Sequence, residues 1–399
     1  MSLKDFQACD VLPVFQELLP TSCINSLIQE TRLRFYQRIF TPVVVLWCLI
    51  YQRLSHDHTQ DEVVNHVKNG AVDHLGFDRQ RPLSQRLKSE NSAAYSKGCG
   101  RLPVEVLQKS LLNTASSVRS TISPWHDHPV SLLDGSVFLV RPTESLIEKY
   151  GQQHNQHGTN YWLQIRSVAT FCLRSGVVTA FAEGPVTTSE QKLAIEVFEQ
   201  AEPDTVHAGD ENFGVFSVAQ AARHHLQHVV FRLMQKRANN IAKQVAQPGD
   251  DIAVKWKPSP HDKLNEGMSE EPISGRVLCI RVQLADGLYE DIFLFTTLTD
   301  RAVYTPEELI KLYGFRWHAE LNLRYIKTQF EMRILKSRSP DMALKELLSG
   351  LLAYNLVRAY ARSREKRRLR PVSTQLHNVL AADSRGDPPY SDHRRPGAN

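Results

Sequence analysis

Tyr313-Gly-Phe-Arg316-Trp-His-Ala-Glu320-Leu-Asn-Leu-Arg-Tyr-Ile-Lys327 is the most informative stretch of the chain. At about 100° of turn per residue on an α-helix, Tyr313, Arg316, Glu320 and Lys327 fall within an arc of about 60°. Leu312, Phe315, Ala319, Leu323, Ile326 and Phe330 gather on the neighbouring arc. One face therefore packs into a core, bordered by a stripe of one carboxylate, two cations and a phenol. The plain reading is a solvated face, with Arg316 and Glu320 at the i, i+4 spacing of a helical ion pair. The same stripe suits phosphodiester chemistry: a carboxylate holds a divalent cation while Arg, Lys and Tyr hold phosphate oxygens beside it.

Outward from this stretch, helix is expected from Pro306 to about Phe330 and from Ala343 to Arg362, followed by the basic residues Arg364, Lys366, Arg367, Arg368 and Arg370. Residues 1 to about 125 read as mostly helical. An apolar helix over Val43–Leu54 follows Pro42, and another begins at Gln60 behind the capping pair Thr59 and Glu62 and closes at Gly70. The stretch from Arg79 to Arg101 is polar and basic, as a DNA-binding module or an ordinary surface helix would be. From Pro129 the texture changes to short apolar runs, Val130–Asp134, Val137–Val140, Trp162–Cys172 and Gly176–Ala182. Helix over Ser189–Gln200, strand over Thr205–Ala208, helix over Val215–Leu226 and strand over His228–Leu233 follow, which predicts an α/β domain with a mixed sheet. Residues 235 to 285 break that rhythm with Pro248-Gly249 and Pro258-Ser-Pro260, and then give the alternating run Gly275–Gln283, an Asp286-Gly287 turn and Ile292–Thr297.

The 399 residues carry 48 Lys+Arg against 43 Asp+Glu, and 42% are hydrophobic. Such a composition excludes a largely disordered chain and a collagen-like one. The longest apolar run, Val43–Tyr51, is too short to span a bilayer, and the start MSLKDFQACD lacks the layout of a signal peptide. No CxxC pair occurs among the six cysteines, so neither a zinc site nor a disulfide framework is expected, and a reduced, cytoplasmic protein is. His154, His157, His224, His225 and His228 fit no zinc spacing and read as surface or polar-core residues. A net charge of +5 is too mild to identify a nucleic-acid partner.

The spacing of Tyr313, Arg316, Glu320 and Lys327 resembles the signature of insertion-sequence transposases of the DDE class, specifically the IS-four family. The likeness extends through Ile334-Leu-Lys-Ser-Arg-Ser-Pro340 and Leu351-Leu-Ala-Tyr-Asn-Leu356, and upstream through Leu298-Thr-Asp300 and Tyr304–Leu309. It implies an RNase H-like α/β core in two parts, 126–234 and 298–375, interrupted by a β-rich insertion over 235–297. A helical DNA-binding part over 1–125 precedes the core, and a disordered tail over 376–399 follows it. Two further carboxylates are implied. Asp134, at the end of the run Leu132-Leu-Asp134-Gly-Ser136, matches the first; on residues alone Asp134-Gly135 is a hairpin turn. Asp210, in Gly209-Asp-Glu-Asn-Phe-Gly214, matches the second; on residues alone it is a loop acid, with Glu211 beside it as the rival.

The resemblance further implies that Asp134, Asp210 and Glu320 hold two Mg²⁺ (or Mn²⁺) ions, oxygen ligands without Cys or His favouring these over Zn²⁺. Tyr313, Arg316 and Lys327 are implied to grip phosphates near the cut end. Trp256, in Lys255-Trp-Lys257, is the candidate for stacking a flipped base, and equally reads as a hydrophobic residue of a small β unit. The implied activity is transposition in a bacterial cytoplasm at the nucleoid: binding of terminal inverted repeats in double-stranded DNA, cleavage, and strand transfer into target DNA. The implied working form is a homodimer on DNA, with no membrane partner. The alternatives are an RNase H-like nuclease without strand transfer and an inactive DNA-binding remnant.

Overall fold

The computed structural model describes residues 7–368 apart from 33–34, 36–37, 77–80, 156–157, 261, 263–268 and 284–286. Arg79, Asp286, His157, the side chains of 366–370 and the tail over 376–399 lie outside the described residues. The front of the chain is helical: α1 (Ala8–Leu18), α2 (Thr21–Glu30), α3 (Pro42–Leu54), α4 (Gln60–Lys68), α5 (Leu83–Arg86), α6 (Ala93–Arg101) and α7 (Val104–Arg119). Pro42 starts α3 at the position where its missing N–H costs nothing. Thr59 Oγ1 accepts the Glu62 N–H at 3.2 Å to start α4. Every residue from Val43 to Ile50 is buried, so α3 is a core helix, apolar all round. No single described helix is long and apolar enough to cross a membrane. All six cysteines are free thiols.

The middle of the chain alternates: β1 (Val130–Val140), α8 (Glu144–Tyr150), a short hairpin of β2 (His154–Asn155) and β3 (Gly158–Thr159), β4 (Leu163–Cys172), β5 (Val178–Pro185), α9 (Glu190–Phe198), β6 (Val206–Gly209), α10 (Phe216–His224), β7 (His228–Leu233) and α11 (Gln235–Ala242). Then come β8 (Asp251–Trp256), β9 (Ile273–Gln283), β10 (Tyr289–Thr296), α12 (Pro306–Gly314), α13 (Trp317–Gln329), β11 (Ile334–Leu335) and α14 (Pro340–Arg368). One mixed sheet runs β5-β4-β1-β6-β7-β10-β9-β8, with β11 paired to the end of β1. β1, β6 and β7 are parallel neighbours; β4 and β5 form an antiparallel flank, and β10, β9 and β8 an antiparallel meander on the other side.

Three expectations change. The runs 130–134 and 137–140 are one strand, whose ladder with β4 continues unbroken from Ser131 to Val140. Asp134-Gly135 is therefore mid-strand, and the hairpin reading falls. The β-rich segment after α11 is no separate layer: β10 pairs with β7 and extends the same sheet. Within it, β8 alternates Ile252, Val254 and Trp256 with Asp251, Ala253 and Lys255, and is held as an outer strand by pairing with β9. The expected helix from Pro306 to Phe330 is two helices, because Phe315, Arg316, His318 and Ala319 bond to carbonyls three residues back rather than four. That 3₁₀-type winding tightens the chain at the junction.

The long α14 joins the front to the sheet. Asn355 donates to Val178 O (2.9 Å) and accepts from Val178 N (2.7 Å), completing the start of β5. Arg358 Nε donates to Ser175 O at 2.7 Å, and buried Lys345 donates to Cys99 O at 3.0 Å. Glu346 is buried and accepts from Arg53 of α3 at 3.0 Å, from the N–H groups of Lys336 and Ser337, and from the Ser337 hydroxyl at 2.6 Å. Removing one member of a buried pair strands the other's charge, at a cost of about 3–5 kcal/mol. Because Glu346 also satisfies a turn, Glu346→Leu is expected to lose more stability in urea unfolding than Arg53→Met.

Candidate active site

The parallel register of β1 and β6 pairs Val130 with Val206 and Leu132 with Ala208. The same offset separates Asp134 from Asp210, so the two carboxylates stand on adjacent strands at the same level. Asp210 follows the last residue of β6 and its Oδ1 accepts the Asn212 N–H at 3.0 Å. Glu320 comes from the first turn of α13, whose Ala319, Leu323 and Ile326 are buried and which packs on β1. Burial pushes the Asp134 carboxyl up to about 6; Arg316 opposes the shift, and the charges of Asp210 and Glu320 add to it. The three carboxylates and Arg316 are thus within electrostatic reach of one another. Glu211 is exposed, and the carboxylate coupled to Asp134 is that of Asp210.

Expected pairings are redistributed along the stripe. Glu320 pairs forward with Arg324 at 3.6 Å, while Arg316 faces Asp134. The tightened α12–α13 junction explains why the spacing of an undisturbed helix does not hold there. Tyr313 is buried at the end of α12, within electrostatic reach of Arg316 and of Arg232 of β7. Burial raises its pKa. Lys327 is half-buried with its ammonium 5.3 Å from the centre of the Phe138 ring. Its pKa is lowered by burial and by Arg333, against the pull of Asp134.

A fourth carboxylate, absent from the sequence reading, stands beside these. Glu190 opens α9, and a Cβ built at Gly135 would run into its carboxylate. Glu190 Oε2 accepts from Asn212 Nδ2 at 2.5 Å, and Gln191 Nε2 donates to Asn212 Oδ1 at 2.6 Å. Burial raises the Glu190 pKa, Arg166 opposes, and Asp210 adds to the rise. A side chain at 135 would have to displace the end of Glu190, which Asn212 holds in place. The donor set is carboxylate oxygen with neither thiolate nor imidazole, which fits a hard divalent cation such as Mg²⁺ or Mn²⁺.

Two other candidates lie elsewhere. Trp256, on β8, is 7% exposed and packs edge-on against Phe295 (4.7 Å) and Phe216 (5.8 Å). Four strands separate β8 from β1, roughly 24 Å at about 4.8 Å per strand. Trp256 is therefore a core residue and not an open stacking platform beside the carboxylates. His128, Asp204 and His228 bring ligand atoms within 4.8 Å of one another at the starts of β1, β6 and β7. Their ring nitrogens already meet Tyr304 (2.7 Å), the Asp204 carbonyl (3.0 Å) and Thr297 (3.3 Å), a polar network tying three strand starts together.

Two outcomes follow for the metal-free protein. A carboxyl whose pKa rises from 3.8 to about 6 on folding makes stability fall as pH climbs through that window, with the full cost present above about pH 6. Asp134→Asn should raise stability at pH 7–8 by on the order of 1–3 kcal/mol, the gain vanishing below about pH 4, as read by urea unfolding across pH. Gly135→Ala should cost roughly 1–3 kcal/mol by overpacking, and clearly less in a Glu190→Ala background, a coupling that a double-mutant cycle measures.

Residues 125–356, more than half of the chain, match the model of the transposase DDE domain family. The matched region starts just before β1, ends within α14 and contains Asp134, Asp210 and Glu320. The chain is also 24% identical over 322 residues to the transposase InsG for insertion sequence element IS4 of Escherichia coli (strain K12), across 79% of this chain and 68% of that protein. The sheet that sets Asp134 beside Asp210, the helix that adds Glu320, and both comparisons lead to one assignment: this chain belongs to the DDE transposases, as a transposase of the IS4 family.

Proposed function

We propose that the chain binds the terminal inverted repeats of its element and catalyses Mg²⁺-dependent cleavage and strand transfer, with Asp134, Asp210 and Glu320 as the catalytic carboxylates. The observation that carries this reading is their convergence from two adjacent parallel strands and one packed helix. The core is RNase H-like: three parallel strands, β1, β6 and β7, are flanked by the antiparallel β4 and β5, with the carboxylates grouped on the central strand and its neighbours. The front over 1–125 is assigned to DNA binding, and the segment over 235–297 to an insertion that widens the sheet. The protein acts on DNA in the cytoplasm, at the nucleoid.

Asp134, Asp210 and Glu320 would hold two Mg²⁺ or Mn²⁺ ions, which when bound supply Lewis-acid stabilisation of the attacking and leaving oxygens. The chain's own residues prepare the place. Asp134 holds a proton more readily than an ordinary Asp and sheds it as pH rises through about 6, leaving the carboxylate that a cation needs. Arg316, close enough to oppose the carboxylate charge, is also placed to hold a phosphate oxygen. Lys327, whose ammonium lies near Asp134, is placed to contact the phosphate beyond it. Tyr313 braces the site through Arg232, and in that buried position positions its neighbours more than it reaches outward. Joining two ends requires two such sites, hence a homodimer on DNA.

The test supplies the full chain with paired terminal-repeat DNA from the flanks of its gene, plus Mg²⁺ or Mn²⁺. Joined products are expected, and Asp134→Ala, Asp210→Ala and Glu320→Ala should each abolish both cleavage and joining while leaving DNA binding intact. Cleavage without joining would identify a nuclease instead. Unchanged processing by Asp134→Ala would remove the catalytic assignment.

A further inference from the structure

Beyond the end of β1 lies a cavity of about 900 Å³ whose walls carry Arg141, Lys327, Arg333, Lys336 and Arg338 together with Tyr161. The positions are fixed by backbone pairing. β11 lies parallel to the last residues of β1, with Val140 opposite Leu335, so Arg141 and Lys336 follow on side by side. Leu139 N donates to Arg333 O at 3.0 Å, and Thr143 Oγ1 donates to Arg338 O at 2.9 Å. Arg141, Arg333, Lys336 and Arg338 are exposed. Among the described residues, none of the five cations has a carboxylate at ion-pair distance. The acid on the rim, Glu331, lies 3.5 Å from His58 instead.

Unneutralised cations in one concavity repel one another, and the potential they build attracts a polyanion. Lys327, on the helix that carries Glu320, lines the concavity and also lies in electrostatic reach of Asp134 of β1, the strand whose end the concavity adjoins. Tyr161 is 61% exposed, with Trp162 edge-on behind it at 5.2 Å, a braced aromatic face of the kind on which unpaired bases stack. We propose that this groove carries one DNA strand away from the catalytic carboxylates, its phosphates on Arg141, Arg333, Lys336 and Arg338 and an unpaired base on Tyr161. The proposal rests on the reading of the carboxylates as a DNA-processing site and adds the path of the strand.

The experiment measures binding of the full chain to fluorescent blunt duplex and to the same duplex with a single-stranded overhang, by anisotropy across a salt series. Arg333→Gln/Lys336→Gln/Arg338→Gln should weaken overhang binding and reduce the slope of log K against log salt by about 2, near 0.7 per lost contact to a single strand. Tyr161→Ala should weaken overhang binding roughly tenfold and leave blunt duplex unchanged, while Tyr161→Phe behaves as wild type. Lys336→Gln alone, with a slope change of about 0.7, guards against misfolding of the triple variant. An unchanged slope in the triple variant, with wild type binding normally, overturns the groove and leaves the catalytic reading standing. Equal weakening of both DNAs by Tyr161→Ala overturns the stacked base. Equal displacement by heparin from wild type and triple variant shows that polyanions bind elsewhere and overturns it as well. A wild-type chain that binds no DNA of either form overturns both readings.

Discussion

Carboxylates repel, and burying them makes the repulsion more costly. Burial is the main cause of the raised pKa of Asp134 and of Glu190 beside it, and the charges of neighbouring carboxylates add to the rise. A chain left to itself would separate these groups. What holds them is the parallel pairing of β1 with β6, which leaves Asp134 and Asp210 no freedom to move apart. The same constraint accounts for several local choices. Glu190 reaches over Gly135, Asn212 bridges Glu190 to the turn after Asp210, and Arg316 supplies the nearby cation. The cluster is stable only as a product of its framework, and in the metal-free chain its charge is a standing penalty that a divalent cation relieves.

That framework has to be stiff, and its stiffness comes from buried polar connections that cross the chain. Glu346 joins α3, the 336–337 turn and α14 through one carboxylate. On the far side of the sheet, Arg276 is 1% exposed, grips Asp251 of β8 at 2.9 Å and donates to the carbonyls of Leu298 and Tyr304. This links the meander to the turn that leads into α12, and so to the helix pair carrying Tyr313, Arg316 and Glu320. Such charges contribute little net stability, since desolvation offsets their attraction. Their effect is to forbid alternatives: if α12 or α14 shifted, a buried ion would be left without a partner.

That Glu320 and Lys327 share one helix was legible because helical periodicity is local: residues a few positions apart meet whatever the rest of the chain does. Strand texture was legible too, since alternation and apolar runs are local patterns. Everything dependent on pairing was not. Residues alone made Asp134-Gly135 a hairpin turn, and only the unbroken ladder with β4 shows it inside a strand. Nothing local marks Glu190, and only the folded sheet brings it over Gly135. Trp256 between two lysines looked like a nucleic-acid contact, yet Phe216 and Phe295 enclose its ring. The break at Phe315 escaped notice because each residue there is compatible with helix; it is the hydrogen bonding that tightens.

Charge distribution carries the same lesson one step further. The net +5 is small, and several of the chain's cations do structural work that no polyanion can use. Arg53 is buried against Glu346 of α14, Lys345 of α14 is buried on Cys99, Arg276 is locked to Asp251, and Arg358 is held on Ser175. Counting cations along the sequence therefore misplaces the electrostatic field, most of all near the end of α14 where Arg358 opens a basic run. The cations that remain without carboxylate partners around β1 and β11 sit next to a site that concentrates negative charge. If the groove carries DNA as proposed, a phosphodiester would be held by cations on one side and repelled by bare carboxylates on the other, a repulsion that a bound divalent cation would cancel.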